Sequence, residues 1–288
     1  MTRPAFGAAG TTAAATGDRA DLSARLLTEV ELFLQGMDAP ASSVAELQQG
    51  ADERYAEHVL PLMVSIEGGR FEMGTEPHDA AHFCGETPRH TVELSPYTLS
   101  AVPVTNELYG LFDPRRRGLP AAERRLPAVD VTWVEAVLFA TWVGCSLPTE
   151  AEWEHACGAG SSSEWCCGSR EEELRRHAWY SESSGGHMHE VATREPNGLG
   201  LFDLHGNVWE WCADTYADDF YERSPMEDPM NVSLDGAVAS KVCRGGSFHA
   251  LAEMCRTRYR QHEPSDSWAS DLGFRLVRRR PHGEVVGR

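Results

Sequence analysis

Eight cysteines and twelve histidines give this 288-residue chain most of its scope for metal and redox chemistry. No Cys-x-x-Cys pair occurs among Cys84, Cys145, Cys157, Cys166, Cys167, Cys212, Cys243 and Cys255, so zinc-ribbon and thioredoxin-type motifs are absent. Cys166 and Cys167 are neighbours, too close for an ordinary unstrained disulfide. In HDAAHFCGETPRH, His78 and His82 have the i, i+4 spacing that would suit a metal on a helix. The Pro and Gly of that segment, which ends at His90, instead predict a surface loop with solvent-exposed histidines. His187 and His189 have strand spacing beside Glu190, and the same reading applies to them. The chain has no Gly-rich phosphate loop, nucleophile elbow or His-Glu-x-x-His run.

Composition narrows the partners. Forty-four acidic against 26 basic residues give a net charge of −18, which repels nucleic-acid phosphates and anionic membranes. The basic cluster Arg278–Arg280 reads as a solvated tail. Hydrophobic residues at 41% and charged residues at 24% fit a globular protein. No apolar run approaches the roughly 18 residues of a membrane helix. The opening residues have no leucine-rich h-region, which predicts a cytoplasmic protein with reduced cysteines. Lys241 is the sole lysine, an arginine bias expected of a GC-rich bacterial genome.

The elements follow from spacing. Residues 1–18 are Ala/Thr/Gly-rich and predict disorder. Leu22, Leu26, Val30 and Phe33 recur at helical spacing, and a second helix is predicted from Ser43, where Ser43 and Glu46 have capping-box spacing. Together they make a helical extension over 19–61. From Leu62 the runs VSIEGGRFEMG and HTVELSPYTL read as strands. Two helices interrupt them, one after Thr132 and Glu135 and ended by Gly144, the other opened by Thr149 and Glu152. Beyond Gly158 only loops, Trp- and Gly-rich turns and short strands are expected. The class is α+β with little regular structure.

Four segments, in order, resemble the formylglycine-generating enzyme, or sulfatase-modifying-factor, family. They are VSIEGGRFEMG with ETPRHTVEL, LPAVDVTWVEAVLFATWVGCSLPTEAEWEHA, PNGLGLFDLHGNVWEWCAD, and RGGSF with DLGFRLV. They place such a domain over 62–278, with a tail at 279–288. The resemblance implies a compact C-type-lectin-like α+β fold. In GNVWEWC, alternation turns Trp209 and Trp211 to one side and Glu210 to the other, with the indoles serving as core.

The resemblance also implies metal sites. It places a structural calcium on the Asp203 and Glu210 carboxylates and the Gly206 and Val208 carbonyls, hard oxygens of the kind calcium takes. The alternative is that both carboxylates bond to turn amides. A second family calcium site falls near Ser181–Gly186, where only Glu182 and hydroxyls are on offer. For catalysis the family uses two cysteines, five positions apart after Gly-Gly-Ser, to hold copper(I), which activates oxygen while a substrate cysteine joins as a further thiolate. Cys255 stands at the second position, and Ala250 stands at the first. Leu251 replaces a usual histidine and Asp271 a usual asparagine, while Ser247 and Trp209 match. Cys255 is therefore either a metal ligand or a buried structural cysteine. A Cys255–His249 site for copper or iron requires both side chains on one face of a strand.

Two functions follow as expectations. One is a divergent oxygen- and metal-dependent oxidoreductase acting on a cysteine or other side chain of a peptide or small molecule, with Cys255, Ser247 and Trp209 in its pocket. The other is a non-catalytic, calcium-stabilised lectin-like scaffold for a peptide or a partner protein. Formylglycine generation on sulfatases, which needs the cysteine that Ala250 replaces, is a third and weaker expectation.

Overall fold

The computed structural model describes residues 44–76, 85–232 and 239–279. The predicted helix at 21–35, the N-terminal disorder, Ser43, His78, His82, Cys84 and Arg280 lie outside the described residues. The helical extension that remains is broken. Helices α1 (Val44–Gln48) and α2 (Ala51–Arg54) run on into a π turn, Tyr55–Val59, and a 3-10 turn, Leu60–Leu62. Arg54 ties it to the body, lying over Trp142 at 4.4 Å and donating to the Trp142 carbonyl at 2.6 Å.

Both predicted strand runs fold as hairpin components. Strands β1 (Met63–Ile66), β4 (Tyr97–Ser100) and β9 (Val277–Arg279) form an antiparallel sheet in the order β1-β4-β9. Strands β2 (Gly69–Met73) and β3 (His90–Leu94) pair with each other. The sheet that carries the site has the order β7-β6-β5-β8, from Gln261–Pro264, Ser240–Arg244, Trp209–Thr215 and Leu272–Phe274. Its β5–β8 pairing is parallel, so it needs the long connection that the intervening chain supplies.

After the short helices α3 (Asn106–Tyr109) and α4 (Ala121–Arg124) come the two predicted ones, α5 (Trp133–Trp142) and α6 (Glu150–Gly158). Both open on complete capping boxes, Thr132 with Glu135 and Thr149 with Glu152, so four otherwise orphaned amides are satisfied by side chains. Gly144 follows α5 with φ 73°, as its stop position requires. Four helices were not expected: the short α3 and α4 above, and α7 (Glu171–His177) and α8 (Phe220–Arg223). Helix α7 has no side-chain cap, and it rests instead on three glutamates in its first turn and Arg175, Arg176 and His177 in its last, matching the helix dipole.

The indoles do the work of regular layers. Trp133, Trp153 and Trp211 are fully buried, and each N–H is satisfied: by the Cys212 carbonyl at 2.8 Å, Glu210 Oε2 at 2.8 Å and the Val131 carbonyl at 3.0 Å. Among the described residues no helix is long and apolar enough to cross a membrane.

Candidate functional site

Strand β6 ends at Arg244 and delivers the chain to two glycines in left-handed conformations, Gly245 (φ 101°) and Gly246 (φ 75°). Each is forced by a close approach. A Cβ on Gly245 would lie 3.1 Å from the Trp153 ring, and one on Gly246 would lie 2.5 Å from Cys255 Sγ. The chain then turns, with the Ala250 amide donating to the Ser247 carbonyl at 3.0 Å, and enters a 3-10 helix, Ala252–Cys255.

This geometry corrects the strand expectation for His249 and Cys255. The stretch between them is turn and 3-10 helix, so even spacing does not give them a common face. His249 is exposed and packs on Phe248, with ring centroids 4.1 Å apart. Cys255 is fully buried, in an apolar cluster with Ala250, Trp165, Leu174, Ala178 and Tyr180. Burial pushes its thiol well above the ordinary range, with Cys157 and Glu253 adding to the effect. The residues do not fit a two-thiolate copper centre: a methyl group stands where the second thiolate would be, and the remaining thiol is neutral and sealed.

Beside this cluster the structure does bring together the other matching positions. Ser247 Oγ donates to Asp271 Oδ2 at 2.7 Å and accepts from the His249 amide at 3.3 Å. The Trp209 amide donates to the Asp271 carbonyl at 2.8 Å, and the half-buried Trp209 ring lies 6.0 Å from that of Tyr259. Ser247, Asp271, Trp209 and Tyr259 thus form one polar-aromatic patch, with Ser247 and Tyr259 buried and Trp209 and Asp271 half-buried, while His249 and Leu251 are exposed.

His205 escaped notice in the sequence. It is fully buried, and its ring joins three parts of the site. The Cys166 amide donates to Nε2 at 3.1 Å, so Nε2 is unprotonated and Nδ1 must donate to the Cys255 carbonyl, 2.8 Å away. Cys157 Sγ lies 3.7 Å from the ring nitrogens. Burial pushes this imidazole down to about 4, so it stays neutral, and both nitrogens are committed. A polar residue between Leu204 and Gly206 was the only signal.

At the implied calcium positions, Glu210 is fully buried but paired with Arg275, through Nε at 2.6 Å and Nη2 at 2.7 Å, and with the Trp153 indole. Asp203 accepts from the Ala192 amide at 2.8 Å, and burial pushes its carboxyl up to about 6. Gly206, at φ 85°, packs so closely on Trp179 that a Cβ would meet its carbonyl at 2.2 Å. Val208, also fully buried, packs beside Gly273. With Glu210 paired to Arg275, one of the two carboxylates implied for calcium is already neutralised. Glu182 pairs with Arg175, and the Ser183 and Ser184 hydroxyls donate to backbone carbonyls. Among the described residues no group of three or more His, Cys, Asp or Glu is arranged to hold a metal ion. Arg275 was also unforeseen, its charge hidden in the apolar run of DLGFRLV.

The order of elements and the Gly-Gly-Ser turn against Cys255 agree with the comparison to known sequences, in which a model of the sulfatase-modifying factor enzyme 1-like domain matches residues 48–280. The chain belongs to this family. It is 29% identical over 290 residues to a formylglycine-generating enzyme of Streptomyces coelicolor, covering 74% of this chain and 88% of that one. It is 33% identical over 253 residues to a protein named serine/threonine-protein kinase pkn1 of Chlamydia pneumoniae, covering 79% of this chain. The chain spans about two fifths of that relative's length, 39%. Among solved structures, Treponema denticola variable protein 1 superposes with a TM-score of 0.64 at 28% identity, covering 75% of this chain and 94% of that one.

Proposed function

We propose that this member of the family is a binding module, not a copper-dependent generator of formylglycine. The observation that carries this reading is the sealed, single thiol. Cys255 is packed against Gly246 and shares its buried apolar cluster with Ala250, so it lacks both the second sulfur and the open ligand position that the substrate cysteine needs. Trp209 and Asp271, half-buried beside the buried Ser247 and Tyr259, are the surface that holds a peptide or small molecule, or a partner protein. A half-buried indole beside a satisfied hydroxyl–carboxylate pair suits that role, because it offers area with little side-chain entropy to lose. The kinase-named relative, in which this domain makes up under half the protein, supports a domain that serves another activity.

A second reading, oxidation of a cysteine or other side chain with oxygen and a metal, is favoured by one observation. Ser247 and Trp209 remain in contact with Asp271 beside Cys255. The two readings separate in one assay. The protein is mixed with copper(I) or iron(II), oxygen and a cysteine peptide of sulfatase type, and the peptide is followed by mass spectrometry. The binding module leaves the thiol unchanged, and Cys255→Ser lowers only the melting temperature. Turnover to an aldehyde that is abolished in Cys255→Ser would overturn the proposal.

A further inference from the structure

Cys166 and Cys167 take no part in the patch just described, yet they are built into its support. They are the two central residues of a tight turn closed by reciprocal backbone hydrogen bonds, Trp165 to Gly168 at 3.0 Å and Gly168 to Trp165 at 3.1 Å. Gly168, at φ 124°, lets the chain reverse. The turn is held at three further points. The Cys166 amide donates to His205, the Trp165 indole donates to the Ala252 carbonyl at 3.3 Å, and the Trp165 ring is buried. Within it each thiol is the main influence on the other's protonation, Cys166 being raised and Cys167 lowered.

Accessibility singles the pair out. Of the seven described cysteines, Cys145, Cys157, Cys212, Cys243 and Cys255 are buried, and only Cys166 and Cys167 reach solvent. The pair is not placed for an ordinary disulfide. Adjacent Cα atoms across a trans peptide are about 3.8 Å apart, below the 4.4 Å or so at which unstrained disulfides begin. Two thiols that cannot easily join each other, fixed side by side on a rigid turn, are instead preorganised to share a third atom.

We propose that Cys166 and Cys167 form a vicinal dithiol site for a soft, thiophilic ion, bound through both sulfurs. Each thiol gives up its proton as its sulfur bonds to the ion, and no electron is transferred. Soft sulfur donors select such ions over harder competitors. The neighbouring Cys166 lowers the Cys167 thiol below its ordinary range, which makes Cys167 the first sulfur to bond. Cys167 packs against the cluster that holds Ala250, Cys255 and Trp209, so an ion bound here adjoins the proposed binding patch without using any of its residues.

The probe is phenylarsine oxide, whose oxygen leaves as water when arsenic bonds to two thiols. The reduced full-length chain is treated and analysed by native mass spectrometry. One adduct per chain is expected, with a mass increase of one phenylarsine oxide less one water. It should be lost in Cys166→Ser and in Cys167→Ser, and kept in Cys255→Ser and Cys84→Ser. If either serine variant unfolds, peptide mapping of the wild-type adduct decides instead, with arsenic expected on the peptide that contains Trp165–Gly168. No adduct on the folded chain, an adduct that survives both serine substitutions, or one lost in Cys84→Ser would overturn the proposal.

Discussion

If Cys255 is a packing residue, its sulfur and Gly246 must be energetically coupled, and the size of the coupling can be worked out. A methyl group on Gly246 would meet Cys255 Sγ at 2.5 Å, Cys255 Cα at 3.2 Å and the Met254 carbonyl at 3.2 Å. Gly246→Ala therefore carries two costs. Holding an alanine at φ 75° costs about 1–2 kcal/mol. Overpacking against a buried sulfur adds about 1–3 kcal/mol. Cys255→Ala alone removes one buried heavy atom and leaves a small void, a loss of about 1–2 kcal/mol. In the double variant the new methyl occupies the space the sulfur vacated, so the sulfur overlap and the void are relieved while the backbone strain and the two 3.2 Å backbone contacts remain. The double variant should thus lose about 1–3 kcal/mol, less than the sum of the single variants by at least about 1 kcal/mol. Urea unfolding of the four proteins, fitted with a common slope, measures this. Additivity to within about 0.5 kcal/mol would refute the packing role and point to a thiol in an open pocket.

Further outcomes follow from the buried charges. Glu210→Gln leaves the Arg275 guanidinium without its counter-ion in a site from which water is excluded, and should cost about 3–5 kcal/mol in chemical unfolding. Adding Arg275→Met should restore part of that loss, and failure to do so would mean the pair is not the main interaction of either residue. Asp203 titrates in the opposite sense to a paired carboxylate. Its folded value, about 6, lies above the ordinary value near 3.8, so its favourable contribution is complete below about pH 4 and is lost as pH rises through 6. Asp203→Asn should therefore stabilise the protein at pH 7 and flatten this part of the pH–stability curve. Calcium should not reverse the effect. A wild-type melting temperature that rises with calcium, and no longer rises in Asp203→Asn, would restore the calcium site that the family resemblance implies.

Much of this architecture could be read directly from residue patterns. The capping boxes at Thr132 and Thr149 and the stop at Gly144 are local signals that depend on backbone amides within one turn, and all three hold. The two strand runs from Leu62 and from His90 also hold, because alternation and turn residues bound them closely. Helix α7 was missed because a run of charges without a capping side chain carries no apolar periodicity. The site was less legible. Ser247 and Trp209 each bond to Asp271, whereas the face shared by His249 and Cys255 required a strand that the Ser247–Ala250 turn excludes. His205 and Arg275 are polar residues whose partners, Cys255 and Glu210, lie 50 and 65 positions away, and no local spacing could pair them.

The central claim is that Cys255 packs the fold and holds no redox metal. Equilibrium binding of copper(I) under anaerobic conditions tests it most directly, using a chain that carries Cys166→Ser and Cys167→Ser so that only the buried thiols remain in question. The account predicts no stoichiometric copper, with or without a further Cys255→Ser substitution. One tightly bound copper per chain that disappears with Cys255→Ser would contradict it.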